Sequence, residues 1–209
     1  MKRSFRKSDG LSCLTLGFIM WFFLIFISLN LREDIAFFDA FFRYKLYAFF
    51  ILPAVVVGVV YSAFSLGQGR NVLYQFAKFT VIGAANMAID IGLLNLMILE
   101  TGAHRGAYYA VFKALSFSVA LLHSYTWNRF WTFEAGGGGQ AGRQFILFAG
   151  VSGTALVINV ISASIVVEFV GPSLKGFTPG VWANLGAVSA LAITVFWNFL
   201  GYKFLVFKN

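Results

Sequence analysis

Six uncharged or nearly uncharged runs of about 20 residues dominate this chain: Leu11–Leu31, Leu46–Leu66, Phe79–Leu99, Gly106–Asn128, Gln144–Val167 and Val181–Gly201. A helix of that length crosses a hydrocarbon core of roughly 30 Å. The runs take more than half of the 209 residues, which leaves no room for a soluble catalytic domain. Composition agrees: 59% of residues are hydrophobic and 11% charged, whereas a water-soluble domain has about a quarter charged. The pattern predicts an all-α polytopic membrane protein with six transmembrane helices. The first run exceeds the roughly 7–15 residues of a signal-peptide core and lacks a small-x-small cleavage site before Arg32, so it reads as a retained span. Pro53 lies inside the second run, where it should kink the helix rather than end it, because lipid-buried backbone must stay internally bonded.

The net charge of +8 sets topology. Ten of the 16 Lys and Arg residues, among them Lys78, Arg129 and Lys203, fall on the side of the N-terminus, and six on the other. Basic residues collect on the cytoplasmic side, so both termini are predicted there. No basic run is interleaved with base-stacking aromatics outside the apolar segments, which argues against nucleic acid as a partner. Cys13 is the only cysteine, so no disulfide, metal site or cofactor is expected. Between the first two runs, Phe37, Phe38, Phe41, Phe42 and Tyr44 with Arg43 and Lys45 read as an interfacial aromatic segment. Gly136–Gly139 reads as a cytoplasmic glycine hinge.

The last four runs repeat a pattern. A shift of 69 places Gln75-Phe76 on Gln144-Phe145, Phe79 on Phe148, Ile89 on Ile158 and Asp90 on Asn159. A shift of 74 places Arg129–Phe133 on Lys203–Phe207. Each repeat holds two spans and returns the chain to its starting side. The two halves, 75–133 and 144–207, are therefore parallel, unlike the inverted repeats of many transporters. Residues 1–68 form a separate two-helix hydrophobic extension.

Each of the last four spans carries one small or polar face at helical spacing. These faces are Gly83, Asn86 and Asp90; Lys113, Ser116, Ala120, His123 and Trp127; Ser152, Ala155, Asn159 and Ser162; and Asn184, Ala187, Leu191, Thr194, Asn198 and Gly201. They should turn toward each other as a four-helix bundle, with the first two spans outside it. Serine, threonine and small residues at such faces serve helix packing. Asp90 is different, because an ionised carboxylate near mid-span costs about 2.5–3.5 kcal/mol. Lys113 lies at a similar depth, about 10.5 Å from the outer end against about 13.5 Å for Asp90. The two are expected to approach each other, directly or through water. Arg129 and Lys203 end their spans beside Trp127, Trp131, Tyr202 and Phe204. They suit interfacial anchoring or phosphate contact, with Asn128 as an added amide donor.

Residues 75–208 resemble the GtrA-like family of small membrane proteins. The resemblance rests on Gln75-Phe-Ala-Lys-Phe-Thr-Val-Ile-Gly83 with Asn86 and Asp90, on Trp127-Asn-Arg-Phe-Trp-Thr-Phe133, on Gln144-Phe-Ile-Leu-Phe148, and on Asn198-Phe-Leu-Gly-Tyr-Lys-Phe-Leu-Val-Phe207. It implies a four-helix membrane domain, in the cytoplasmic membrane, that serves cell-surface polysaccharide synthesis. It further implies flipping of a polyprenyl-phosphate-linked sugar, or recruitment of a partner glycosyltransferase. Residues 1–66 and Leu205, which stands where the first half has Trp131, depart from the family pattern.

The leading expectation is translocation of such a lipid. Arg129, Lys203 and Asn128 would bind phosphate, while Asn86, Asp90, Lys113, Asn159 and Asn198 would line the route. A homo-oligomer or a partner would help a parallel repeat to alternate its access. A scaffold for a glycosyltransferase is the alternative. An enzyme is not expected, because the chain has no nucleophile-base pair, no metal-ligand cluster and no P-loop.

Overall fold

A computed structural model describes residues 5–67, 71–132, 141–174 and 176–201. All regular structure among them is helical: α1 (Lys7–Leu31), α2 (Ala36–Arg43), α3 (Lys45–Leu66), α4 (Asn71–Thr101), α5 (Gly106–Trp127), α6 (Ala141–Ile165), α7 (Gly171–Ser173) and α8 (Pro179–Gly201). π-helical turns follow α5 at Asn128–Thr132 and α6 at Val166–Val170. The glycine run Gly136–Gly139 lies outside the described residues.

Among the described residues, four stretches are long and apolar enough to cross a membrane: Lys7–Leu31, Lys45–Leu66, Leu73–Thr101 and Ser152–Ser173; Pro179–Thr194, part of α8, is also apolar. The chain is a multi-pass membrane protein. α5 spans 22 residues, but Lys113, His123 and its hydroxyl residues dilute its apolar character, which is why it stands apart from the four. The packing falls into two units, Met1–Gly92 with Leu122–Gly136 and Leu93–Leu121 with Gly137–Asn209. The boundary between these units cuts α4 and α5.

In the first unit, α1 and α3 form a hairpin through α2. Pro53 does not end α3, which continues to Leu66. Gly17 faces it so closely that a Cβ there would sit 2.4 Å from Pro53 Cα. The missing side chain lets two backbones touch, as small residues do between membrane helices. Trp21 Nε1 donates to the Lys45 carbonyl at 2.7 Å and fastens the far end of the hairpin. α2 has no buried residue. There Lys45 Nζ and Arg32 Cζ lie 3.9 and 4.9 Å from the Phe42 ring centroid, and Arg43 pairs with Asp39 at 2.8 Å. These rings and cations lie at the residues that the sequence marks as an interfacial segment.

α1 lies directly on α4. A Cβ on Gly92 would come within 2.5 Å of Phe23 Cβ. Cys13, Leu16, Val56, Val60, Tyr74, Val81, Ile82, Ala85 and Trp131 share one apolar core. The extension and the start of the repeat region are thus a single packed body.

In the second unit, small residues bring α6 and α8 together. Ala155, Ala163, Ala183, Ala187 and Ala190 are fully buried. A Cβ on Gly186 would meet Val167 Cγ2 at 2.7 Å and the Ala163 carbonyl at 2.9 Å. Leu185, Val188 and Ile193 are exposed on the other faces of α8, as a lipid-facing surface requires. Tyr109 Oη donates to the Ala183 carbonyl at 2.9 Å and ties α5 to α8.

These close approaches make an expectation. Gly17→Ala forces the α1–α3 backbones apart and lowers stability by about 1–3 kcal/mol, the usual cost of overpacking. Gly58→Ala, with nothing within 4 Å of the new methyl, leaves it unchanged or slightly raised. Thermal unfolding of both variants in detergent checks the contrast.

Candidate functional site

The most heavily bonded polar group in the first unit is a carboxylate that the sequence reading passes over. Asp9 and Lys78 are each only 1% exposed, and Lys78 Nζ lies 2.8 Å from Asp9 Oδ1. Trp131 Nε1 donates to the same oxygen at 2.9 Å. Arg6 supplies two more donors to Oδ2, its Nε at 3.1 Å and its backbone N–H at 3.3 Å. The Lys78 ammonium also sits 4.3 Å from the Tyr74 ring centroid and 5.0 Å from that of Trp131, and it reaches the Trp131 carbonyl at 3.4 Å. Desolvating two charges is costly, and only such a full set of hydrogen bonds offsets the cost. The signal was present in the sequence: Asp9 and Lys78 each lie one or two residues before an apolar run that starts on the same side. Lys78 looked like one more topogenic cation.

Trp131 belongs to the π-helical turn Asn128–Thr132, which holds two of the expected phosphate ligands. Arg129 Nη1 donates to Tyr125 Oη, and its guanidinium lies 5.7 and 5.6 Å from the Tyr125 and Phe130 ring centroids. Asn128 Nδ2 donates to the Ser124 carbonyl at 3.0 Å and to Ser124 Oγ at 3.2 Å. Three atoms of this turn, Asn128 Oδ1, Arg129 Nε and Thr132 Oγ1, are buried with no hydrogen-bond partner among the described residues. Each unmade bond costs about 1–3 kcal/mol. π-helical turns recur at functional sites because they displace side chains from regular helical register.

The other expected residues separate into pairs. His123 Nδ1 and Asn86 Oδ1 lie 2.5 Å apart, the amide oxygen accepting, while His123 Nε2 is buried without a partner among the described residues. Asn159 Nδ2 donates to Thr194 Oγ1 at 3.1 Å, and its Oδ1 is left over. Asn184 is also bonded, to Asn95, in a reciprocal amide pair at 2.7 and 3.0 Å. Asn95 is a partner that the polar-face reading of α4 missed. Asp90 and Lys113 are fully buried; Asp90 belongs to the first unit and Lys113 to the second. The Asn198 side chain and Lys203 lie outside the described residues.

These elements define a multi-pass helical membrane protein with polar side chains bonded between apolar helices and a basic-aromatic turn at the end of α5. The chain belongs to the GtrA/DPMS transmembrane-domain family, whose model matches residues 78–207. No curated protein and no solved structure matches it.

The ion pair is open to test by single and double substitution. Asp9→Asn leaves the Lys78 charge poorly compensated and destabilises the fold by about 3–5 kcal/mol. Asp9→Leu combined with Lys78→Met recovers most of that loss, because no charge then remains to desolvate. Equilibrium unfolding in mixed micelles measures both, and equal losses in the single and double variants count against the pair.

Proposed function

We propose that this protein moves a polyprenyl-phosphate-linked sugar between the leaflets of the cytoplasmic membrane, acting as a flippase in the synthesis of cell-surface polysaccharide. Family membership supports a role in handling such lipids. The observation that carries the reading is the π-helical turn after α5. There a guanidinium N–H, a threonine hydroxyl and an amide oxygen are buried together without partners among the described residues. A sugar phosphate satisfies all three: phosphate oxygens accept from Arg129 and Thr132, and a sugar hydroxyl donates to Asn128. In this reading Lys203 provides the corresponding cation of the second repeat.

The barrier to flipping is desolvation of the headgroup in hydrocarbon. Polar side chains within the spans, Asn86 and Asp90 in the first unit and Lys113 and Asn159 in the second, lower it while the polyprenyl tail stays in lipid. The Asn159–Thr194 and Asn95–Asn184 bonds close helices of the second unit against each other, so passage requires those helices to part. The topology that fits has six spans, two parallel repeats and both termini in the cytoplasm. A second copy of the chain or a partner supplies the asymmetry that parallel repeats lack. The protein performs no covalent chemistry in this scheme.

One observation favours the alternative, a scaffold that recruits a membrane glycosyltransferase. The extension is bonded through Asp9 to Trp131, two residues from Arg129, so a partner docked on α1–α3 can act on the headgroup site. Proteoliposomes that contain only this protein and a short-chain polyprenyl-phosphate sugar separate the readings. Flipping by the wild type, reduced about tenfold by Arg129→Gln and partly retained by Arg129→Lys, fits the loss of a charge-assisted phosphate contact. Flipping that appears only on adding the glycosyltransferase supports the scaffold.

A further inference from the structure

The second unit contains a cavity of about 470 Å³ where the α4–α5 connection meets the segment between α6 and α8. We propose that it binds a phosphorylated monosaccharide headgroup, at a site separate from the turn that holds Arg129. The proposal rests on the lipid-linked-sugar reading for the sugar's biological source, while the chemistry of the lining stands on its own.

The volume lies in the range of small-molecule sites. Trp182, Phe177, His104 and Arg105 are among its lining residues. Trp182 is held from two sides. Gly171 lets the ring lie on its backbone, since a Cβ there would stand 3.1 Å from the indole Cγ. Phe177 meets the ring edge-on, with centroids 5.7 Å apart. A rigid indole offers a flat apolar platform for the C–H face of a pyranose, and little ordering entropy is lost when it is used.

The polar groups are set by the turn before α5. Gly102 and Gly106 both have positive φ, 70° and 77°, which folds the connection tightly enough for His104 Nδ1 to lie 2.8 Å from the Gly102 carbonyl. A carbonyl can only accept, so Nδ1 carries the proton, and in the neutral ring Nε2 is an acceptor for a sugar hydroxyl. Arg105 is exposed and always charged, with a planar fork matched to phosphate. Glu168, beside the lining residue Val167, engages the Gly106 N–H. That contact ties the connection to the π-helical turn after α6. An aromatic platform, a hydroxyl acceptor and a guanidinium together select a sugar that carries a phosphate over either part alone.

The test uses the full-length protein in lipid nanodiscs and isothermal titration calorimetry with a hexose 1-phosphate, the free hexose, inorganic phosphate and a short-chain polyprenyl-phosphate hexose. The phosphorylated sugar should saturate, with the free hexose and inorganic phosphate at least about tenfold weaker. Trp182→Ala should weaken binding about tenfold while Trp182→Phe keeps most of it. Arg105→Gln, at an exposed position that the fold does not need, should abolish the preference for the phosphorylated form. Saturation by the soluble ligand supports a site open to free sugar phosphate. Saturation by the lipid-linked form alone supports a site that takes the headgroup from the bilayer. Absence of saturation by both, or wild-type affinity in Trp182→Ala and Arg105→Gln, overturns the proposal. Flipping with no binding at the cavity sinks this inference and leaves the translocation reading standing. Binding without flipping does the reverse.

Discussion

One buried ion pair fixes how this chain begins. Asp9 and Lys78 stand 69 residues apart in sequence and 2.8 Å apart in space, and neither touches solvent to any useful extent. In a protein whose helices are surrounded by hydrocarbon, apolar surface gains little by leaving lipid for another helix, so packing shape and hydrogen bonds must specify which helices meet. The pair does this for α1 and α4, and Trp131 adds the turn after α5 to the same knot. The glycine approaches at Gly17 and Gly92 then operate on helices already brought into contact. Three parts of the chain are held by one carboxylate.

The second unit is assembled by another chemistry. Alanines line the α6–α8 contact, the Asn159–Thr194 bond bridges it, and the Asn95–Asn184 pair joins α4 to α8. Asn159 with Thr194 and Asn95 with Asn184 are neutral pairs, each worth about 1 kcal/mol or less between membrane helices. Such bonds are strong enough to set register and weak enough to be exchanged for a polar ligand.

Much of this was legible in residue spacing. The apolar runs gave helices close to the expected bounds, and the inward faces of α6 and α8 emerged from intervals of three and four residues. Ser152, Ala155 and Asn159 are buried, as are Asn184, Ala187 and Thr194. Spacing failed where an interaction joins ends instead of faces. Asp9 and Lys78 flank apolar runs, so each resembled an ordinary charge at the membrane edge, and nothing along the chain says that two such edges coincide. The π-helical turns were equally hidden, because a one-residue change of pitch leaves no mark on composition. Gly83, on the same expected face as Asp90, is exposed, which shows that a shared stripe does not guarantee shared burial along a helix as long as α4.

The saturation of Asp9 bears on how portable the extension is. Its carboxylate accepts from the arginine that caps its own helix, a lysine on α4 and an indole beyond α5, and the last two lie inside the family-matched region or at its first residue. A hairpin keyed in this way is not an interchangeable cassette. Grafted onto a relative without a lysine and a tryptophan at those places, it would bring into an apolar joint a carboxylate held by Arg6 alone. Extension and core are therefore matched to each other at this one joint.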